Sequence, residues 1–185
     1  MMRVLIACEF SGRVRDAFTR AGHYAISCDL MPSESPGNHW ECDVRTVLHG
    51  GWDMMIAFPP CTFLCRAGAR YHDGTPAMYD ALSFVGHLMA APIPKIAIEN
   101  PIGAITRHFR APDQIVQPHM FGDPYARATC LWLKGLPKLT ADNPVGPPWT
   151  SLAYQLPDSE DRSRDRARTF PGLARAMAGQ WGKAT

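Results

Sequence analysis

Residues 3–29 read RVLIACEFSGRVRDAFTRAGHYAISCD, and this stretch decides the architecture. RVLIAC is a continuous apolar run of strand length, without the alternation of a half-exposed strand, so both its faces should be covered. RVRDAFTRAG has helical texture and closes at Gly22, a residue that ends helices in left-handed geometry at little steric cost. YAISCDL is a second strand. Strand, helix and strand in this order predict a parallel pair joined by a crossover helix.

The same alternation continues outward. A Pro, Ser and Gly loop, MPSESPGN (31–38), leads through HWECDVRTVL to the strand WDMMIAF (52–58). TPAMYDALSFVGHLMAA (75–91) places Met78, Leu82, Val85 and Met89 at helical spacing, and KIAIEN (95–100) is another strand. After Pro101 the pattern loosens, ATCLWLKG (128–135) reads as a late strand, and FPGLARAMAGQWG (170–182) as a short amphipathic helix. Residues 137–160 are rich in proline and lack periodicity, which predicts a long surface loop within one domain spanning 1–185. The expected fold class is α/β, a mostly parallel sheet with helices on both faces.

Composition narrows the function. With 185 residues, 46% of them hydrophobic, the chain can bury a sizeable core. Nineteen Lys and Arg against seventeen Asp and Glu give a net charge of +2, so any nucleic-acid contact has to be local. Six cysteines, at 8, 28, 42, 61, 65 and 130, sit in apolar stretches without the paired spacing of a disulfide scaffold or a zinc site. They read as reduced thiols of a cytoplasmic protein, with no metal. The apolar run before Glu9 is too short for a signal peptide or a membrane span, so no membrane association is expected.

In sheets of this kind ligands gather at the carboxyl ends of the strands. Here those ends carry Glu9, Asp29, Asp43, the Pro-Pro-Cys of FPPCTFLC (58–65) and the Glu-Asn of KIAIEN. Asp29 stands where an acid often meets the hydroxyls of a bound ribose, although Asp is also an ordinary turn residue after a strand. Pro59 and Pro60 fix the backbone on which Cys61 is presented, and a nucleophile held in place avoids much of the entropic cost of attack. Arg66 and Arg70 are the nearby charges that could favour its thiolate. The other five cysteines read as inert. Glu99, after KIAI, should reach the same edge, where burial would raise its pKa and let it donate a proton to a ring nitrogen.

These motifs, in this order, resemble the DNA cytosine-C5 methyltransferases over most of the chain. EFSGRVRDAFTRAGH resembles the family's FxGxGG turn and helix, FPPCTFLCRAGARY its PPCQxFSxAGxR, IENP its ENV, FGDPYARAT its YGxPQxRxR, and TFPGLARAMA its C-terminal NAVPxxLAxAIA helix. The resemblance implies a Rossmann-like, S-adenosylmethionine-dependent methyltransferase fold. It implies catalytic roles for Cys61, Glu99 and Arg127, and cofactor contacts at Phe10, Ser11, Gly12, Asp29, Asp43, Pro59 and Thr169. Cys61 would attack C6 of the pyrimidine and Glu99 would bond to N3 and the exocyclic amine.

Four departures stand out. Val14 and Arg15 replace two glycines, Thr62 replaces Gln, Tyr125 and Thr129 replace the Gln and an Arg of the later motif, and a proline-rich loop replaces the family's large sequence-reading region. Substrates expected from the resemblance are therefore DNA, single strands or a free pyrimidine nucleotide, cytosine or uracil, with a second copy or a recognition partner as a source of specificity. A cofactor-binding protein without turnover is the non-enzymatic alternative. The run RSRDRAR, with Arg162, Arg164, Arg166 and Arg168, reads as a solvated face or as a set of phosphate contacts.

Overall fold

The computed structural model describes residues 1–147, 149 and 162–183. Seven strands, β1 (Arg3–Ala7), β2 (Tyr24–Asp29), β3 (His39–Glu41), β4 (Met54–Ala57), β5 (Lys95–Asn100), β6 (Gln114–Val116) and β7 (Thr129–Lys134), form one sheet. Their spatial order is β3-β2-β1-β4-β5-β7-β6. The first five named pair in parallel, and β7 runs antiparallel to both β5 and β6. The opening stretch is the expected crossover unit: β1 and β2 pair from Arg3–Tyr24 to Ala7–Cys28, with helix α1 (Arg13–Arg20) between them.

The unbroken apolar strands are explained by cover on both faces. Leu5, Ala7, Met55, Ala57, Ile96 and Ile98 pack under helix α3 (Pro76–Met89) and α4 (Ala104–His108), against Met78, Leu82, Val85 and Leu88. Val4, Ile6, Met54, Ile56 and Ala97 face the other way, toward α1 and the C-terminal helix α6 (Pro171–Trp181), against Val14, Phe18, Leu173, Met177 and Trp181. Each large side chain buried this way contributes about 1.5–3 kcal/mol, so the two faces together carry the fold. α3 begins where its sequence dictates: Pro76 occupies the first turn, and Thr75 Oγ1 accepts from Met78 N at 3.4 Å.

Two short helices, α2 (Ala69–His72) and α5 (Arg162–Ala167), lie outside these layers. The three-residue β6 was not expected from sequence, and it changes the reading of the proline-rich stretch. Gln114 accepts from Leu139 N at 2.8 Å and donates to Leu139 O at 2.7 Å, and the Leu139 side chain is buried. The first residues after Pro137 are thus pinned to the sheet, though 137–147 contain no helix or strand. Residue 148 and residues 150–160 of the expected loop lie outside the described residues.

Strand order reverses between β1 and β4, which creates a crevice at their carboxyl ends. Residues from several of the motifs singled out above, among them Glu9, Cys61 and Arg127, gather there. Among the described residues, no helix is long and apolar enough to cross a membrane.

Candidate active site

A cleft of about 820 Å³ opens at this crevice, lined among others by Glu9, Phe10, Asp29, Cys61, Arg66 and Arg127. Smaller cavities adjoin it, two of them lined by residues singled out above. One, of about 300 Å³, shares Cys8, Asp29 and Pro60 with the cleft and continues to Leu30, Asp43, Val44 and Phe84. The other, of about 30 Å³, shares Phe58, Arg127 and Ala167 and is lined by Glu99, Thr129 and Thr169.

The thiol is positioned by backbone. Cys61 O accepts from Leu64 N at 3.0 Å and from Cys65 N at 2.9 Å, so the chain turns immediately after the two prolines. Arg66 N donates to Ile102 O and Ala104 N to Leu64 O, fastening the turn to the loop after β5. That approach needs Gly103, where an added Cβ would stand 1.8 Å from Leu64 O. Asn100, buried at the end of β5, donates from Nδ2 to Pro59 O at 2.7 Å, tying the strand of the carboxyl group to the loop of the thiol.

The electrostatics of the two groups are linked. Burial pushes the Cys61 thiol above its ordinary pKa, Cys65 and Glu99 add to the rise, and Arg127 and Arg166 oppose it. The cations that act on this thiol are therefore Arg127 and Arg166 rather than the Arg66 and Arg70 suggested by sequence proximity. Burial likewise raises Glu99, against the pull of Arg127 and of Thr129, whose hydroxyl donates to Glu99 Oε1. Glu99 is thus biased toward its protonated form. Thr129, one of the departures from the family pattern, is the side chain that orients it.

On the other wall, the turn Glu9–Asp16 is organised by two buried polar side chains, Glu9, whose pKa burial raises, and Arg15. Glu9 is 3% exposed, and its carboxylate accepts from Ser11 Oγ at 2.9 Å, Val14 N at 3.0 Å and Arg15 N at 3.5 Å. It therefore occupies the electropositive N-terminus of α1, the place where a dinucleotide fold would hold a pyrophosphate. Arg15 is 1% exposed and bonds Asp16, Ser27 Oγ, Ser33 Oγ, Ser35 Oγ and O, and Pro36 O at 2.6–3.2 Å. The lost glycine has become a buried guanidinium that anchors the 33–36 loop over the turn. Gly12 is still required: its φ is +73°, and a Cβ there would stand 2.2 Å from Ser35 Oγ.

The residues expected to hold the cofactor divide into two groups. Phe10 and Asp29 line the main cleft, Asp29 and Asp43 the 300 Å³ cavity, and Thr169 the small cavity beside Glu99. Ser11, Gly12 and Pro59 line none of the three: Ser11 bonds Glu9, Pro59 O accepts from Asn100, and Gly12 O accepts from Asp16 N. Asp29 has its carboxyl raised by burial and accepts from Met31 N at 3.0 Å, while Asp43 is held low by Arg45, which bonds both its oxygens. Cys8, Cys28 and Cys42 surround this second cavity. Cys28 Sγ lies 3.6 Å from Cys42 Sγ, and its pKa is pushed up to about 12 by burial.

S-adenosylmethionine suits this half of the cleft. An acid stands at the end of β2 for ribose hydroxyls, and the adjoining cavity offers Leu30, Val44 and Phe84 to a flat ring.

No family model matches the chain, and no curated protein does. Solved structures do resemble it. A candidate DNA modification methyltransferase encoded within an E. coli prophage superposes with a TM-score of 0.51 at 14% identity, over 86% of this chain and 56% of that one. The Dnmt2 methyltransferase of S. pombe gives 0.48 at 16% identity over 84% and 53%, and a Spodoptera frugiperda DNMT2 variant gives 0.48 at 17% over 82% and 55%. The chain spans little more than half the length of these structures. Together with the strand order and the β1/β4 crevice, the prophage protein's likeness identifies the fold as the Rossmann-like α/β fold of methyltransferases.

Proposed function

We propose that the chain is an S-adenosylmethionine-dependent methyltransferase acting on C5 of cytosine in DNA through a covalent adduct at Cys61. The observation that carries this reading is the convergence of Cys61 and Glu99 on Arg127. Arg127 lines both the cleft that holds the thiol and the small cavity that holds the carboxyl group, and its charge acts on both.

The reading places a flat ring between the two groups. Cys61 as thiolate forms a bond to C6, and the displaced electron pair moves to C5. Protonated Glu99 donates to N3 and withdraws charge from the ring, so the side chain favoured by burial is the one the step needs. Arg127 opposes the burial that raises the Cys61 pKa, and its Nη1 donates to Arg166 O at 2.6 Å. The cofactor, when bound, supplies a methyl group as an electrophile facing C5. Loss of the C5 proton to a base then returns the electron pair to the ring and expels the Cys61 thiolate.

A second reading, methylation of a single strand or a free pyrimidine nucleotide, is favoured by one observation. The stretch between β7 and α5, residues 135–161, contains a single Lys, Lys138, and no Arg. Duplex recognition draws about 1–3 kcal/mol from each bidentate base contact, and flipping a stacked base costs a few kcal/mol more. The discriminating experiment offers labelled S-adenosylmethionine with duplex DNA, single-stranded DNA, RNA and each pyrimidine nucleotide, followed by nucleoside mass analysis. The expected product is 5-methylcytosine, with single strand or nucleotide modified at least as well as duplex. A methyl group on an exocyclic nitrogen, or none on any substrate, would overturn the proposal.

A further inference from the structure

The basic run RSRDRAR has separated roles that its sequence gave no reason to expect. Arg168 forms a two-pronged pair with Glu34, Nε to Oε2 and Nη2 to Oε1, both at 2.7 Å, and also bonds Asp165. Arg164 meets the same Glu34 at 3.0 Å and lies 5.4 Å over the Phe10 ring. Arg13 Nη1 donates to Thr169 O at 2.8 Å. With the Arg127 bond to Arg166 O, these contacts fasten residues 164–169 as a strap across the carboxyl ends of the strands.

Arg166 is the exception. Its backbone is held, but its side chain is exposed, and among the described residues no acidic side chain meets it. It lines the same cleft as Cys61, together with Arg66 from the turn after β4. Glu9 and Asp29 line the cleft from the ends of β1 and β2, while Arg127 and Arg166, whose charges act on Cys61, and Arg66, on the turn that carries Cys61, line it as well.

We infer that Arg166 and Arg66 clamp a phosphate attached to the pyrimidine, so that the site takes a phosphorylated substrate, nucleotide or polynucleotide, and discriminates against the nucleoside. This rests on the reading of the Cys61 cleft as a pyrimidine site. A guanidinium offers a planar fork of donors matched to phosphate oxygens, and Arg166 is delivered to the cleft by a strap whose own bonds do not involve that fork. The shared chemistry is oxyanion recognition, for which the carboxylate of the cofactor is the competing source. The place of Arg166 in the cleft, where its charge acts on Cys61, favours the phosphate.

The test is calorimetric binding of dCMP, deoxycytidine, a short single-stranded oligodeoxynucleotide and S-adenosylmethionine to the parent chain, Arg166→Gln, Arg166→Lys and the surface control Arg20→Gln. Arg166→Gln should weaken dCMP and oligonucleotide binding about tenfold and leave deoxycytidine unchanged. It should also flatten the salt dependence of oligonucleotide binding by about one counterion. Arg166→Lys should retain part of the affinity, and Arg20→Gln all of it. Unchanged melting of Arg166→Gln would confirm that the strap is intact.

Equal affinity of the parent for dCMP and deoxycytidine would overturn the clamp, and so would a loss confined to S-adenosylmethionine, which would place Arg166 on the cofactor carboxylate. Methyl transfer plays no part in the readout. A chain that binds dCMP through Arg166 yet methylates nothing would keep the clamp and sink the catalytic proposal.

Discussion

The two walls of the cleft are built on opposite plans. The wall formed by Glu9–Asp16 and the 33–36 loop is internally bonded, with a carboxylate and a guanidinium buried and nearly every polar atom engaged by the chain itself. The wall formed by Cys61–Ala69 is held by a few backbone bonds to the loop after β5 and by Asn100, and it exposes Phe63. The difference teaches where each kind of precision resides. The first wall is a preformed floor whose shape is set on folding, and the second presents its reactive group on a thin, locally fastened turn. Substitutions in the two walls should therefore fail in different ways.

The sharpest contrast is in stability. Arg15→Met removes the partner of six buried or half-buried oxygens and should cost about 3 kcal/mol, whereas Arg66→Ala on the opposite wall should stay within about 0.5 kcal/mol. Urea unfolding of both variants measures this. Equal losses would mean that the Arg15 network is ornamental and the two walls are alike.

Gly103→Ala attacks the fastening of the second wall. A Cβ 1.8 Å from Leu64 O must push the Cys61–Ala69 turn away from β5. A displacement of about 1 Å can cost on the order of a hundredfold in turnover, with a stability loss of about 1–2 kcal/mol. S-adenosylmethionine binding, a property of the other wall, should be unchanged. If cofactor binding fell with turnover, the walls would not be independent.

A smaller effect concerns pH. Because Glu99 is raised above its unfolded value by burial, the native state holds its proton where the unfolded chain has released it. Its contribution to stability is present below the unfolded pKa and is lost as pH rises through the folded one. Glu99→Gln should therefore gain in urea midpoint relative to the parent between pH 4 and pH 7, while turnover falls. Parallel curves for the two proteins would show that the carboxyl is not held protonated.

Much of this arrangement was legible in the sequence because it depends on local pattern. The strands were visible as apolar runs since both sheet faces are covered, and the strand ends followed from Gly, Pro and Asp punctuation. The prolines before Cys61 and the apolar run before Glu99 indicated which groups would be presented at the edge. What escaped was set by partners distant in the chain. Arg15 read as the loss of a glycine, because its burial depends on Ser27, Ser33, Ser35 and Pro36. Glu34 in a polar loop gave no sign of meeting Arg164 and Arg168. β6 is three residues long and is stabilised by β7 and by the Gln114–Leu139 bonds, neither of which a short window can contain.

The central claim is that Cys61 becomes bonded to the pyrimidine, and trapping that bond tests it most directly. The parent chain and Cys61→Ser are incubated with S-adenosylmethionine and the substrate form methylated best, carrying 5-fluorocytosine in place of cytosine. Fluorine at C5 cannot be removed as a proton, so the thiol cannot be expelled once the methyl group is added. Intact-mass and peptide analysis should find one stable adduct on the parent, carrying the substrate and one methyl group, mapped to Cys61. Cys61→Ser should form none and should lose turnover by more than about a thousandfold on the ordinary substrate, with its melting unchanged. Methylation of the ordinary substrate by the parent without any adduct, or turnover by Cys61→Ser within a few fold of the parent, would contradict the covalent mechanism.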